Sequence, residues 1–185
     1  MSRTQVILGS NGIAAEVDNY SKGVVSIQTE HEHIHDGMHF GAVSIDTDVD
    51  IATPKLWSVI APNTTTRIHF IGQIDATKSG TVEFFESPTV TGAGTAVVAG
   101  NNDRNSDTVA ELLVKEDTTV SANGTLIAGG VIGSDSTSAV GGSGGVLERN
   151  RELILLQGAT YLLKFTAAND NTRVSLDLAW YEVPA

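Results

Sequence analysis

From Thr172 to Tyr181 the apolar residues Val174, Leu176, Leu178 and Trp180 alternate with Arg173, Ser175, Asp177 and Tyr181. A period of two puts successive side chains on opposite faces of an extended chain, so this stretch reads as a half-buried strand. Upstream, Tyr161, Leu163 and Phe165 alternate with Leu162, Lys164 and Thr166, and the Asn- and Asp-rich segment Ala167 to Asn171 lies between the two runs. Such a spacer favours a turn, and the pair is expected to form an antiparallel hairpin. A strand with three aliphatic residues and a Trp on one face, and no helical pattern nearby to cover it, must bury that face against a second sheet.

β signals begin at Gly23 and continue to the end. Val24 to Ile27, Ala42 to Ile45 and Leu56 to Ile60 are strand candidates, the last ending at Pro62-Asn63. In Thr66 to Asp75, Ile68, Phe70 and Ile74 alternate with Arg67, His69, Gln73 and Asp75, with Gly72 as a bulge or a point of close approach. Gly80 to Glu86 sets Val82 and Phe84 on one face and Phe85 on the other, where Phe85 serves either an interface or a second core. Asn123-Gly124, between Leu112 to Val120 and Thr125 to Ile132, suits a two-residue hairpin turn because both residues take positive φ. Gly129 to Gly145 holds seven glycines in seventeen residues and reads as a long mobile loop or a segment ordered on contact. Residues 1–22 have one short apolar run, Val6, Ile7 and Leu8, and read as an arm ordered by a neighbour or as a frayed terminus. The expected organisation is an extended N-terminal arm, residues 1–22, followed by an all-β, two-sheet sandwich of jelly-roll type over residues 23–185.

Composition narrows the partners. Eleven Lys and Arg against 22 Asp and Glu give a net charge of −11, which disfavours duplex DNA and anionic membranes. Cysteine is absent, so neither disulfides nor thiolate metal sites hold the fold. The N-terminal residues lack a long apolar core and no 18-residue apolar run occurs, giving the expectation of a soluble protein made in a cytoplasm rather than exported by a signal peptide.

Chemistry concentrates in HEHIHDGMHF. Read as a strand, it puts His31, His33 and His35 on one face, where imidazoles can converge on Zn²⁺, Ni²⁺ or Cu²⁺ if the strand bends. The alternative is a set of surface or interface histidines that charge near pH 6.5. A cupin-like metal enzyme has a comparable His pair, but here Asp36 is the next acid after His35 and His69 stands alone in TRIHFIG. No GxSxG is present, and DTDVD lacks the Gly and distal Glu of a Ca²⁺ loop. No cofactor and no catalytic residue is expected.

The succession HIHDGMHF, IHFIGQIDATKSGTVEFFES, GTAVVAGNNDRNSDT and LILLQGATYLLKFTAANDNTRVSLDLAWYE resembles a group of small virion structural proteins of tailed bacteriophages, over roughly residues 30–182. Its end, Gly-x-x-Tyr-Leu followed by Trp180-Tyr181-Glu182, looks like theirs. The resemblance implies a β-sandwich that coats or cements the capsid, often as a trimer, with the major capsid protein as partner and the capsid surface as location. Interface candidates are Val6, Ile7, Leu8, Phe85 and Arg104, the last in the polar loop Asn101 to Asp107. A receptor- or glycan-binding head of a phage fibre is the alternative, against which Trp57 and Trp180 fall within strand patterns rather than loops.

Overall fold

The computed structural model describes residues 31–133 and 152–184 with their side chains, and the backbone alone through 4–7, 14–17, 29–30 and 142–147. In chain order its elements are β1 (Thr4–Ile7), β2 (Ala14–Val17), α1 (Thr29–His35), β3 (His39–Val49), β4 (Lys55–Ile60), β5 (Thr66–Ala76), β6 (Gly80–Glu86), β7 (Thr89–Gly92), β8 (Thr95–Val97) and β9 (Gly100–Asn101). There follow β10 (Leu113–Glu116), β11 (Thr119–Ala122), β12 (Thr125–Ile132), β13 (Gly142–Leu147), β14 (Leu153–Leu155), β15 (Thr160–Ala167) and β16 (Thr172–Pro184).

Two large antiparallel sheets form the sandwich. One has the order β13-β5-β16-β3-β9, with β14 also on β5; the other runs β12-β6-β15-β4-β10-β8. The period-two residues of β16 do what their spacing requires: Val174, Leu176, Leu178 and Trp180 are buried, as are Ile68, Phe70 and Ile74 of β5. They join one core cluster with Trp57, Val59, Val82, Phe84, Tyr161, Leu163 and Phe165 of the facing sheet.

The hairpin expected from the last two strands does not form. β15 pairs with β4 and β6 in one sheet, and β16 pairs with β3 and β5 in the other. Ala168 to Asn171 therefore arches between sheets. Both strands carry an apolar face, and facing one another across the core buries both, whereas pairing edge to edge would leave each to find its own cover.

The Asn123-Gly124 hairpin is also overturned. β12 pairs with β6, β11 with β7 and β10 with β8, so residues 80–97 and 113–132 form one bent antiparallel ribbon with nearly constant register. It bends twice, and each bend has positive φ on both strands: Ser87 (57°) with Gly124 (91°), and Gly94 (70°) with Asp117 (56°). A Cβ at Gly124 would collide with the Glu86 carbonyl oxygen, and one at Gly94 with that of Glu116. Asn-Gly supplies positive φ to a hairpin turn and to a strand corner alike, and the continuing ladder selects the corner.

The ribbon joins the two edges of its sheet by crossing that sheet's outer face. Beneath it, Phe85, Leu162 and Ser58 form a cross-strand row, all buried. Thr118 Oγ1 donates to Ser58 Oγ at 2.9 Å from the second corner. Phe85, only 7 % exposed, thus belongs to a second buried layer rather than to an interface.

A charged knot secures the same corner. Lys55 Nζ lies 2.7 Å from Asp117 Oδ1 and 3.1 Å from Asp46 Oδ2, linking the two sheets to the ribbon. Burial would lower the Lys55 ammonium, but Asp117 and Asp46 outweigh it and hold its pKa above the ordinary lysine value.

Two further expectations change in extent. Gly129 to Ile132 lies in β12 and residues 142–145 in β13, so the expected long loop is strand at both ends, and 134–141 lie outside the described residues. Thr4–Ile7 and Ala14–Val17 pair as a two-stranded sheet of their own, so Val6 and Ile7 of the expected arm lie in a strand. Leu8 and the strand candidate Val24 to Ile27 lie outside the described residues.

Candidate docking site

The histidine cluster is not a strand. Thr29–His35 is a helix closed by Gly37 at φ 68°, with Gly37 N–H donating to Ile34 O and Met38 N–H to His33 O. This is a Schellman end, and the sequence carried its sign in Gly37, two residues past His35. Helical spacing separates the three imidazoles. His31 and His35 meet on an exposed face, while His33 turns inward and stacks on Tyr181 at 4.6 Å. The convergence of three histidines that a bent strand would allow is therefore absent, and with it the cupin arrangement, which places them inside the barrel. Among the described residues no group of three His, Asp or Glu side chains is placed to hold a metal.

Tyr181 lies between His33 and His69, the latter 4.4 Å away, and its hydroxyl donates to Glu152 Oε1 at 2.6 Å. His69 Nδ1 reaches the same oxygen. His39 begins β3 in the same cross-strand row. Asn102 Nδ2, a donor only, lies 2.7 Å from His39 Nδ1, so the contact favours an imidazole with that nitrogen unprotonated. Burial first, and the nearby His33 second, hold His39 below the ordinary histidine pKa. Its contribution to stability is complete above the unfolded value near 6.5 and is lost as pH falls through the lowered folded value. Urea midpoints should fall between pH 7.5 and pH 5.5, and His39→Asn should reduce that fall; an equal fall in both proteins would refute the assignment to His39.

One residue further, Glu182 turns into the protein. Its carboxylate is 3 % exposed and accepts from the N–H groups of Glu111 (3.0 Å) and Leu112 (3.0 Å) and from Trp180 Nε1 (3.0 Å). Trp180, Tyr181 and Glu182 thus fill the core, carry the imidazole stack and anchor a loop, respectively. The sequence singled out these three residues only as a recurring pattern; their roles depend on which strands flank β16.

The anchored loop, residues 102–112, joins β9 to β10. At its start Asn101 Nδ2 donates to Gly37 O at 2.8 Å, and Asn102 N–H donates to His39 O at 2.9 Å. Both sheets end here, one at β8 and the other at β9, and no described strand covers the outer side of β8. Between them opens a cleft of about 570 Å³ lined by Phe40, Val97, Val98, Val109 and Leu113 among others. Val98 is 87 % exposed and Val109 82 %, with Leu113 half exposed beside them. Arg104 is exposed on the rim, its Nη1 3.4 Å from Asn101 O, while Asp103, Asp107 and Lys115 also line the cleft.

No protein-family model, curated protein or solved structure matches the chain.

An open sheet edge can accept an extended strand through main-chain hydrogen bonds, and exposed valines beside it supply apolar contact. Of the expected interface residues, Arg104 lies on this rim and Phe85 does not. No period in the sequence sets Val98, Val109 and Leu113 apart: Val98 follows Val97, Leu113 stands between Leu112 and Val114, and Val109 is isolated in a polar run.

Proposed function

We propose that this chain is a virion protein of tailed bacteriophages, of the decoration or cement type, that binds the outer capsid across neighbouring capsomers and stabilises the shell. The observation that carries the reading is an apolar rim of Val98 after β8, Val109 on the anchored loop and Leu113 at the start of β10, beside a sheet edge, β8, that no described strand covers. A shell-binding protein requires such a contact surface and no reacting groups. We read the bent ribbon of β6 to β8 against β10 to β12 as the jelly-roll element, the major capsid protein as the partner and a homotrimer as the binding unit. Modest contacts from each copy add through avidity when three engage one lattice. Nucleic acid and membranes are not partners in this reading.

A glycan-binding head is less well supported. All nine described Phe, Trp and Tyr side chains are buried, leaving no aromatic platform among the described residues on which a sugar could stack.

The test is co-sedimentation of the purified chain with capsids of the phage that encodes it, lacking this protein. Binding should saturate at a fixed copy number, and Val98→Asp with Val109→Asp should weaken it by roughly 100-fold or more, since two charges would be desolvated at the contact. The double variant should melt with the parent because both side chains face water. No binding of the parent chain to intact capsids would overturn the proposal; full binding by the variant would move the contact away from this rim.

A further inference from the structure

We propose that His31 and His35 form a two-imidazole chelate for one borderline transition-metal ion, Zn²⁺, Ni²⁺ or Cu²⁺, on the exposed face of α1. Their Nε2 atoms lie 3.1 Å apart, with the rings nearly perpendicular at 89°. Two Zn–N bonds of about 2.0–2.1 Å meeting at a tetrahedral angle set their nitrogens about 3.3–3.4 Å apart, and a right-angled pair sets them about 2.9 Å apart. The observed separation falls between these values, so a metal can enter with small ring rotations. The α-helix supplies this geometry, because positions four apart stand one above the other on a single face.

With both rings neutral, one Nε2–H donates to the other Nε2 across this distance. On metal binding the donor ring moves that proton from Nε2 to Nδ1. Both Nε2 lone pairs then face the ion, with no net proton released from two neutral rings. Water fills the remaining coordination positions. Hard ions such as Mg²⁺ and Ca²⁺ prefer oxygen ligands and are not held. The clasp spans residues 31 to 35 of a seven-residue helix, whose backbone alone holds its turns weakly. It would thereby steady the turn that sets His33 on Tyr181.

The proposal is independent of capsid binding and is tested on the untagged full chain by Zn²⁺ titration calorimetry. One ion per chain should bind, His31→Ala and His35→Ala should each weaken binding by about tenfold or more, and His33→Ala should stay within about twofold of the parent. Ring-nitrogen NMR should show Nε2 of residues 31 and 35 shifting together. Thermal melts of the metal-free variants check that both remain folded, as exposed positions allow. Equal Zn²⁺ affinity in the parent and the His31→Ala/His35→Ala double variant would overturn the assignment. So would a parent chain that binds no Zn²⁺ up to about 1 mM, the range of the weakest protein metal sites.

Discussion

Glu182→Gln is expected to lower the melting temperature by roughly 10 °C. The carboxylate accepts three N–H donors in a site shut off from water. All three donors reach Oε1, so a glutamine with its oxygen there keeps the contacts but makes each of them neutral, and its NH₂ group takes the Oε2 place, 3.1 Å from the Glu111 N–H. A hydrogen bond to a charged group contributes about 1.5–3 kcal/mol and a neutral one about 0.5–1.5, so weakening three of them loses about 3–5 kcal/mol. For a chain of this size each kcal/mol moves the transition by about 2–4 °C. The local sign should be faster amide exchange at Glu111 and Leu112, whose N–H groups the carboxylate holds. A variant melting within about 2 °C of the parent, well inside the shift expected for one lost charged hydrogen bond, would show that the loop is held by other contacts. Trp180→Phe removes one of the three donors, and the double variant should lose less than the sum of the two single losses.

Trp57→Ala should cost about 3–5 kcal/mol, again roughly 10 °C or more, because the void left in a packed core relaxes only in part. Trp57 is fully buried and reaches across the sandwich, its Nε1 donating to Ser44 Oγ at 2.9 Å on the opposite sheet. Ser44 Oγ in turn donates to Glu116 Oε2 at 2.6 Å, beside the ribbon corner. Losing the indole therefore opens a cavity and removes one link of a chain that joins both sheets to the ribbon. Trp57→Phe separates these effects: it fills most of the volume and forfeits the N–H, so it should cost about 1–2 kcal/mol. Equilibrium urea denaturation reads both variants. Equal losses would assign the whole effect to the hydrogen bond and none to packing.

Trp57 falls in a strand pattern of the sequence, but Leu56 and Ile60 share the face opposite Trp57 and Val59, so the packed sheets decide which face enters the core. Glu182 was visible only as the end of Trp180-Tyr181-Glu182, since nothing local distinguishes a buried carboxylate from a solvated one. His31, His33 and His35 mark a third case, in which period-two and period-four readings of the same short stretch assign different partners. Gly37 decides for the helix, because its positive φ closes the last turn with two backbone hydrogen bonds.

Alternation alone determined that the chain is all-β and that Val174, Leu176, Leu178, Trp180, Ile68 and Phe70 face inward, because side-chain direction along a strand depends on nothing outside that strand. Pairing was beyond its reach. An alternating strand has a defined buried face but no defined neighbour, so only the closed sandwich decided that β15 and β16 face each other across the core, that Asn123-Gly124 bends a ribbon instead of ending one, and that Phe85 lies beneath that ribbon. The docking rim has the same origin: Val98, Val109 and Leu113 are far from periodic in the chain, and they come together where two sheets end and a buried carboxylate holds the loop between them.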